Sequence, residues 1–488
     1  MKKRILLFTI LVLTIACSKE EGTNTEQSNN IVLNLELNNN TSFSSSFEYN
    51  YSSQLENIKL IWNNVIEVNI ENKIGEKEVL NNNSSLTIYN LEHSKSYFFR
   101  LVGELNNQKY YSEIITVITS EIELTFNSNI IENTYKITKV INKNNGFILG
   151  TFEFSSGQYS TDHLIRISKI NNQFNQEWSF TINELEWNDL YEIIDLEDGN
   201  FIAICTTSNG TNIGKVFAIK FDNNGNQIWK KYYPYQDWQS GLVDFNSYEN
   251  EIYLMALVNK QGHQYFYREF SIDSDGNIII DQNIDVSDNF YFYFLAYQPF
   301  GEKFDVGAKY IHNNNQYLLD AMIEKYDTNN DLIWSKQYGD EGRDVFEKTL
   351  IDEDYIITAG FNNHSTGVPL DFDTYKWVHV TDKLGNKIWE YEENRKNFIY
   401  HAYDIKKDND NDILALFFDI YYPGSHVYNK ATLLKFDSLG NLLWTFKDGE
   451  DYNTDDFHPK KVIHKNGEYL IFGIKEGNTL WLKKIKVN

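Results

Sequence analysis

The chain reads as all-β in two parts, a small sandwich followed by a seven-bladed propeller. Three observations predict this. Aromatic residues make up 15% of the 488 residues while Pro is only 5, a composition that favours strands with Asn and Gly supplying the turns. No long stretch keeps a helical period. From about residue 120 onward the chain repeats itself every fifty residues or so, and such a period is a four-stranded unit used many times.

The N-terminus comes first in the chain and reads as an address. Lys2, Lys3 and Arg4 precede an uncharged apolar run from Ile5 to Ala16, which suits a signal segment and is too short to span a bilayer. The run ends at Thr14-Ile15-Ala16-Cys17. That ending resembles the bacterial lipobox, with Leu13 one place earlier than the usual leucine. The resemblance implies cleavage after residue 16, acylation of Cys17, and an outer-membrane lipoprotein held by its lipid anchor. Ser18-Lys19-Glu20-Glu21 resembles the surface-export signal of Bacteroidota lipoproteins, which implies exposure at the cell surface. Residues 17–30 are polar and read as a tether, reaching about 20 Å if flexible.

Residues 31–119 alternate apolar and polar in short runs such as Ile31 to Leu37, Phe43 to Tyr51 and Ile58 to Trp62, about seven strands that suggest a sandwich. The stretch Leu91-Glu92-His93-Ser94-Lys95-Ser96-Tyr97-Phe98-Phe99 resembles the strand E to F corner of fibronectin type III domains. An immunoglobulin-like sandwich of other topology competes with that reading. The resemblance implies that the Tyr97 hydroxyl bonds back to the main chain and that Phe99 points inward.

Residues 120–488 carry the repeat. Lys220-Phe221-Asp222-Asn223-Asn224-Gly225-Asn226-Gln227-Ile228-Trp229 is its clearest copy, and Lys435 to Trp444 nearly matches it. The closing position falls at 178, 229, 280, 334, 389 and 444, in steps of 51 to 55 residues, with Ile280 in place of Trp. Asp and Gly-Asn suit a turn that uses side-chain capping and positive φ. The Trp then belongs to an outer strand, packed between blades. Upstream of each copy lies a second-strand run, beginning with Gly146 to Gly150 and followed by Phe201 to Ala203, Ile252 to Ala256, Phe304 to Gly307, Tyr355 to Gly360, Ile413 to Leu416 and Tyr469 to Gly473. Seven second strands against six outer strands leave the last repeat short. The alternating segment at 120–127 is expected to complete it and so remove a free edge. The region resembles bacterial propellers with Lys-x-Asp-x-x-Gly-Asn-x-x-Trp repeats. It is also similar to quinoprotein propeller repeats, but the turn is one residue shorter and the vicinal cysteine pair is absent, so the similarity implies fold and no cofactor.

The net charge is −25. Removal of residues 1–16 takes Lys2, Lys3 and Arg4 with it and brings the charge to about −28, a field that repels phosphate backbones. No Lys/Arg cluster stands out in the sequence, and nucleic acid is excluded as a partner. With Cys17 acylated, Cys205 has no disulfide partner. It lies in an apolar strand-like run and reads as a buried, inert thiol. There is no nucleophile elbow and no zinc-binding helix, and no metal is expected. Asp408-Asn409-Asp410-Asn411-Asp412 fails the EF-hand pattern because Ile413 stands at the glycine position, and it reads as a hairpin turn. Candidate ligand-binding residues are the aromatic and charged side chains in loops on one propeller face: Trp187, Tyr235, Trp238, Asp340, Arg343, Asp344, Tyr422, Asp455 and His458. Aromatic plates beside carboxylates suit a glycan or a protein partner. The sequence therefore points to a monomeric, lipid-anchored binding or scaffold protein. The alternative is a polysaccharide lyase or glycoside hydrolase using carboxylates on that face.

Overall fold

The computed structural model describes residues 31–487 except 121–122, 132–135, 144, 155–162, 185–186, 209–213, 234–238, 249–250, 260–264, 285–293, 298–302, 314–315, 328–330, 340–341, 364–373, 395–397, 422–427, 449–456 and 476–478. The described residues contain strands and turns and no helix, so none is long and apolar enough to cross a membrane. Residues 1–30, read from the sequence as signal and tether, lie outside them. The chain forms two compact units. The first is built on the residues up to Glu123, with Leu442–Thr445 and Lys486–Asn488 grouped with it, and the second on the rest.

The first unit is two facing antiparallel sheets. One pairs Leu33–Asn40, Ser45–Tyr51 and Ser84–Ile88. The other is five-stranded, from Gly75–Glu78, Glu56–Asn63, Ser96–Leu105 and Gln108–Tyr111, with Ile115–Ile118 also on Ser96–Leu105. This makes eight strands, beside the seven or so short runs that the sequence shows. Alternation places Leu35, Phe47, Leu60, Phe99 and Leu101 in a common core. The Glu92 amide donates to the Tyr97 hydroxyl at 2.9 Å, and Phe99 is fully buried.

The second unit holds seven four-stranded sheets in chain order, here sheets one to seven. Sheets one to six cover 136–182, 187–232, 239–284, 294–338, 345–394 and 398–447. Each runs first, second, third, fourth strand without a crossover. Sheet seven covers 457–486 and takes its fourth strand from Glu123–Ile131, upstream of sheet one. Apolar cores lie between consecutive sheets. Ile148, Ile165 and Ile167 of sheet one meet Leu190, Ile193 and Phe201 of sheet two. Phe472 and Leu480 of sheet seven meet Phe147 and Leu149 of sheet one, the Phe147 and Phe472 rings lying 5.3 Å apart. Cys205 is fully buried in the core of sheets one and two, and burial holds its thiol protonated.

The repeated motif explains the regularity. The six positions read from the sequence all fall on fourth strands: Trp178, Trp229, Ile280, Trp334, Trp389 and Trp444. Trp178, Trp229 and Trp334 lie opposite the motif lysines Lys169, Lys220 and Lys325, each followed by a register shift at the next residue. The turn between them is built by its aspartate. Asp222 Oδ1 accepts the amides of Asn224 (2.8 Å) and Asn226 (2.9 Å), and its Oδ2 accepts the Asn226 side-chain amide (2.8 Å). Asp273, Asp382 and Asp437 repeat this arrangement. The turn glycine has a second duty. A Cβ on Gly225 would lie 2.7 Å from the Trp178 ring of the preceding sheet, and one on Gly440 would lie 2.6 Å from Trp389. Gly276 and Gly385 face Trp229 and Trp334 in the same way. Trp178, Trp229, Trp334 and Trp389 thus each lie over the bare backbone of the next sheet's turn. Around it Lys231 and Lys336 donate to Asn277 and Asn386 of that turn, at 2.9 and 3.0 Å.

Candidate functional site

The candidate site is built on charged side chains of the first strands. Six of the seven carry the same irregularity, a register shift that inserts one extra residue. The inserted residues are Thr138, Tyr191, Val243, Glu347, Tyr403 and Lys460, and each is followed by a charged one: Lys139, Glu192, Asp244, Lys348, Asp404 and Lys461. A bulge leaves the extra residue out of the ladder, increases local twist and re-aims side chains. At Lys139, Glu192, Asp404 and Lys461 the charges meet those of a neighbouring sheet. Lys139 Nζ of sheet one meets Glu192 Oε1 of sheet two at 2.7 Å. Lys461 of sheet seven lies 3.5 Å from Asp404 of sheet six, and Lys406 lies 3.2 Å from the same carboxylate. The Val462 amide donates to Asp404 at 3.0 Å. Burial alone raises the Asp404 pKa; Lys406, Lys461 and that amide more than reverse it and hold the carboxylate below its usual range. Lys406 goes the other way. Burial, then the charges of Lys461 and Lys139, push its pKa down against the pull of Asp404. Burial lowers Lys461 too, but Asp404 and Glu192 more than compensate and raise it. Side chains from sheets six, seven, one and two therefore share one electrostatic site.

Aromatic rings flank these charges in sheets five to seven. Glu347 accepts the Ala402 amide at 2.6 Å and lies 2.7 Å from His401 Nδ1. A carboxylate on one ring nitrogen orients the imidazole and leaves Nε2 to other partners. His401 packs against Phe361 of the preceding sheet at 5.8 Å. His458, in the matching position of sheet seven, packs against Phe418 at 4.7 Å. Lys460 Nζ lies 4.0 Å from the Tyr403 ring centroid.

Of the residues singled out in the sequence, four are described. Arg343 is exposed, its guanidinium 5.7 Å from the Phe361 ring. His458 lies on the next seam as given above. Trp187 opens the first strand of sheet two and is 39% exposed. Asp344 is fully buried and its carboxylate accepts the Asn363 amide at 3.0 Å; it staples a loop from inside. Cys17, Tyr235, Trp238, Asp340, Tyr422 and Asp455 lie outside the described residues. The structure brings Arg343 and His458 to adjoining seams, and it adds Glu347, His401, Tyr403, Asp404, Lys460 and Lys461, which sequence reasoning passed over.

The Asp408, Asp410 and Asp412 carboxylates converge, but around an ammonium. Lys435 Nζ lies 2.7 Å from Asp408, 2.9 Å from Asp412 and 3.9 Å from Asp410, with the Tyr469 hydroxyl at 3.0 Å. The motif lysine fills the position a cation would take.

His379 is a different kind of histidine. It is buried among Tyr338 (4.8 Å), Trp377 (5.2 Å) and Phe346 (5.7 Å). Burial pushes its pKa from 6.5 down to about 4, against the attraction of Glu390. The unfolded chain takes this proton near 6.5 and the folded one only near 4, so in that window the unfolded state binds more protons. Stability is therefore lost as pH falls from 6.5 toward 4, by up to about 3 kcal/mol. Denaturant titrations at pH 7 and pH 4.5 are expected to show this loss in the native protein and a smaller one in His379→Leu. Equal losses in both would remove the assignment.

No family model matches the chain, and no curated protein matches it. Solved structures do. An ACO/RPE65 chimera is 9% identical over 87% of this chain and 95% of its own, with a TM-score of 0.40. A Synechocystis apocarotenoid oxygenase mutant is 10% identical over 74% and 86%, TM-score 0.40. A subtype N10 neuraminidase-like protein of A/little yellow-shouldered bat/Guatemala is 8% identical over 75% and 99%, TM-score 0.37. At such scores the likeness carries nothing about activity.

Proposed function

We propose that this chain is a surface lipoprotein of the outer membrane, acylated at Cys17, whose second unit is a closed seven-bladed propeller that binds a glycan or protein partner. The first unit is a fibronectin type III-like spacer in this reading. The Tyr97 hydroxyl bonded to the Glu92 amide supports the spacer. The fourth strand that sheet seven takes from Glu123–Ile131, with the core shared by sheets seven and one, supports the ring.

The observation that carries the binding role is the set of first-strand bulges. They gather charges and rings from several sheets at one place, which costs desolvation and contributes little to stability. Two measurements test the reading. Labelled fatty acid is expected in the native protein and not in Cys17→Ala; equal labelling would overturn the anchor. On a glycan array and against surface proteins of cells, purified protein is expected to bind, with a tenfold or greater loss in Arg343→Ala and His458→Ala. Binding unchanged in both variants would move the site off this face.

A further inference from the structure

The first strands are electrically lopsided. In sheets five, six, seven and one they are Val345–Ile351, Phe398–Lys407, Phe457–Lys465 and Lys136–Lys143, and together they carry nine lysines against Glu347 and Asp404. In sheets two and three, Trp187–Asp195 and Gln239–Tyr248 carry Asp189, Glu192, Asp195 and Asp244 and no lysine. The chain as a whole has a net charge of −25, so solubility does not account for a basic arc on consecutive sheets. Proximity sharpens the point. Lys406 is within electrostatic reach of both Lys461 and Lys139. Asp404 and Glu192 are the carboxylates paired with these three ammonium groups. Three half-buried ammonium groups beside two carboxylates leave a positive charge over, which an anion would balance.

We infer that the seams of sheets five to seven bind an acidic oligosaccharide, one bearing a carboxylate or sulfate on its sugar rings. This rests on the binding role proposed above and names its ligand class. Arg343, Lys460 and Lys461 supply the countercharge, His401 an imidazole whose Nε2, oriented by Glu347 on Nδ1, can accept from a sugar hydroxyl, and Tyr403 with Lys460 over its ring an apolar plate for a sugar face. A nucleic acid fits worse. Its dense phosphates would extend beyond the arc into the field of a strongly acidic protein, whereas a short sugar chain with spaced charges ends within it.

The test is titration calorimetry of the purified full-length chain with four probes: oligogalacturonate, sulfated dextran oligomers, neutral maltohexaose and oligothymidylate. Binding of either acidic sugar is expected, weakening at least fivefold from 50 to 300 mM salt, with maltohexaose and oligothymidylate silent. Lys460→Gln and Arg343→Gln are each expected to weaken it at least fivefold while the unfolding midpoint holds. Lys461→Gln is a poorer probe because it leaves Asp404 short of a partner. Silence with both acidic sugars, equal binding of maltohexaose, comparable binding of oligothymidylate, or full affinity in both variants would each overturn the inference. A neutral glycan or protein hit in the wider screen, with both acidic sugars silent, would overturn it while leaving the binding role intact.

Discussion

Lys376→Ala is expected to destabilise the second unit by about 3–5 kcal/mol, the cost of stranding a buried charge. The Lys376 side chain is fully buried, with Nζ 2.8 Å from Asp419 Oδ2, 3.3 Å from Glu393 Oε2 and 4.7 Å from the Tyr400 ring centroid. Its removal leaves Asp419, itself 5% exposed, with the Thr432 hydroxyl at 2.7 Å and no countercharge. The pair joins sheets five and six, so the loss should appear as a lower denaturant midpoint of the whole unit. Lys376→Met with Asp419→Leu is expected to recover most of it, since a well-packed apolar pair often replaces a buried ion pair without penalty. A Lys376→Ala protein as stable as the native one would show that water reaches these groups.

Gly440→Ala should cost about 2–4 kcal/mol, by overpacking and by a left-handed backbone. The glycine sits at φ +85°, and an added Cβ would lie 2.6 Å from Trp389 Cδ2 and 2.7 Å from its Cγ. The two causes can be separated. Phe174 occupies the matching position in sheet one at φ +63°, so a side chain is bearable there when no tryptophan covers it. In a Trp389→Ala background, Gly440→Ala is therefore expected to cost only about 1–2 kcal/mol, the backbone part. Additive losses would mean that the ring and the glycine do not act as a unit.

That coupling was present in the sequence before any coordinates. The third repeat has Ile280 in place of Trp, and the fourth repeat has Asn330 where its neighbours have glycine. The first repeat has Phe174 there, and the strand that completes sheet seven, Glu123–Ile131, contains no tryptophan. Except at Trp444, Trp and Gly come and go together one repeat apart because one fills the space the other leaves. The strand count, the turn chemistry and the positions of the outer strands were legible for a similar reason. Each rests on local steric rules that a residue type expresses directly.

The charged seams were not legible. Lys139, Glu192, Asp404 and Lys461 are far apart in the chain and unlike in type, and they meet because of bulges, which no residue type announces. A weaker signal existed. In Lys139-Val140-Ile141, Glu192-Ile193-Ile194 and Lys461-Val462-Ile463 a charge precedes an apolar pair, which breaks strict alternation and fits an extra residue. Asp344 shows the opposite difficulty. A polar residue leading into a strand looks like a surface acid, and only its amide partner Asn363 reveals that it faces inward.

The strand borrowed by sheet seven has a consequence for how the chain is made. Glu123–Ile131 emerges early in synthesis, and its neighbour Thr479–Lys486 emerges long after it. Joining ends about 350 residues apart carries roughly 2 kcal/mol more loop entropy than closing one repeat. The clasp therefore fastens only after Lys486 has been made. Until then an early strand waits with an open edge, and the ring of cores between consecutive sheets lacks the strand that sheet seven borrows.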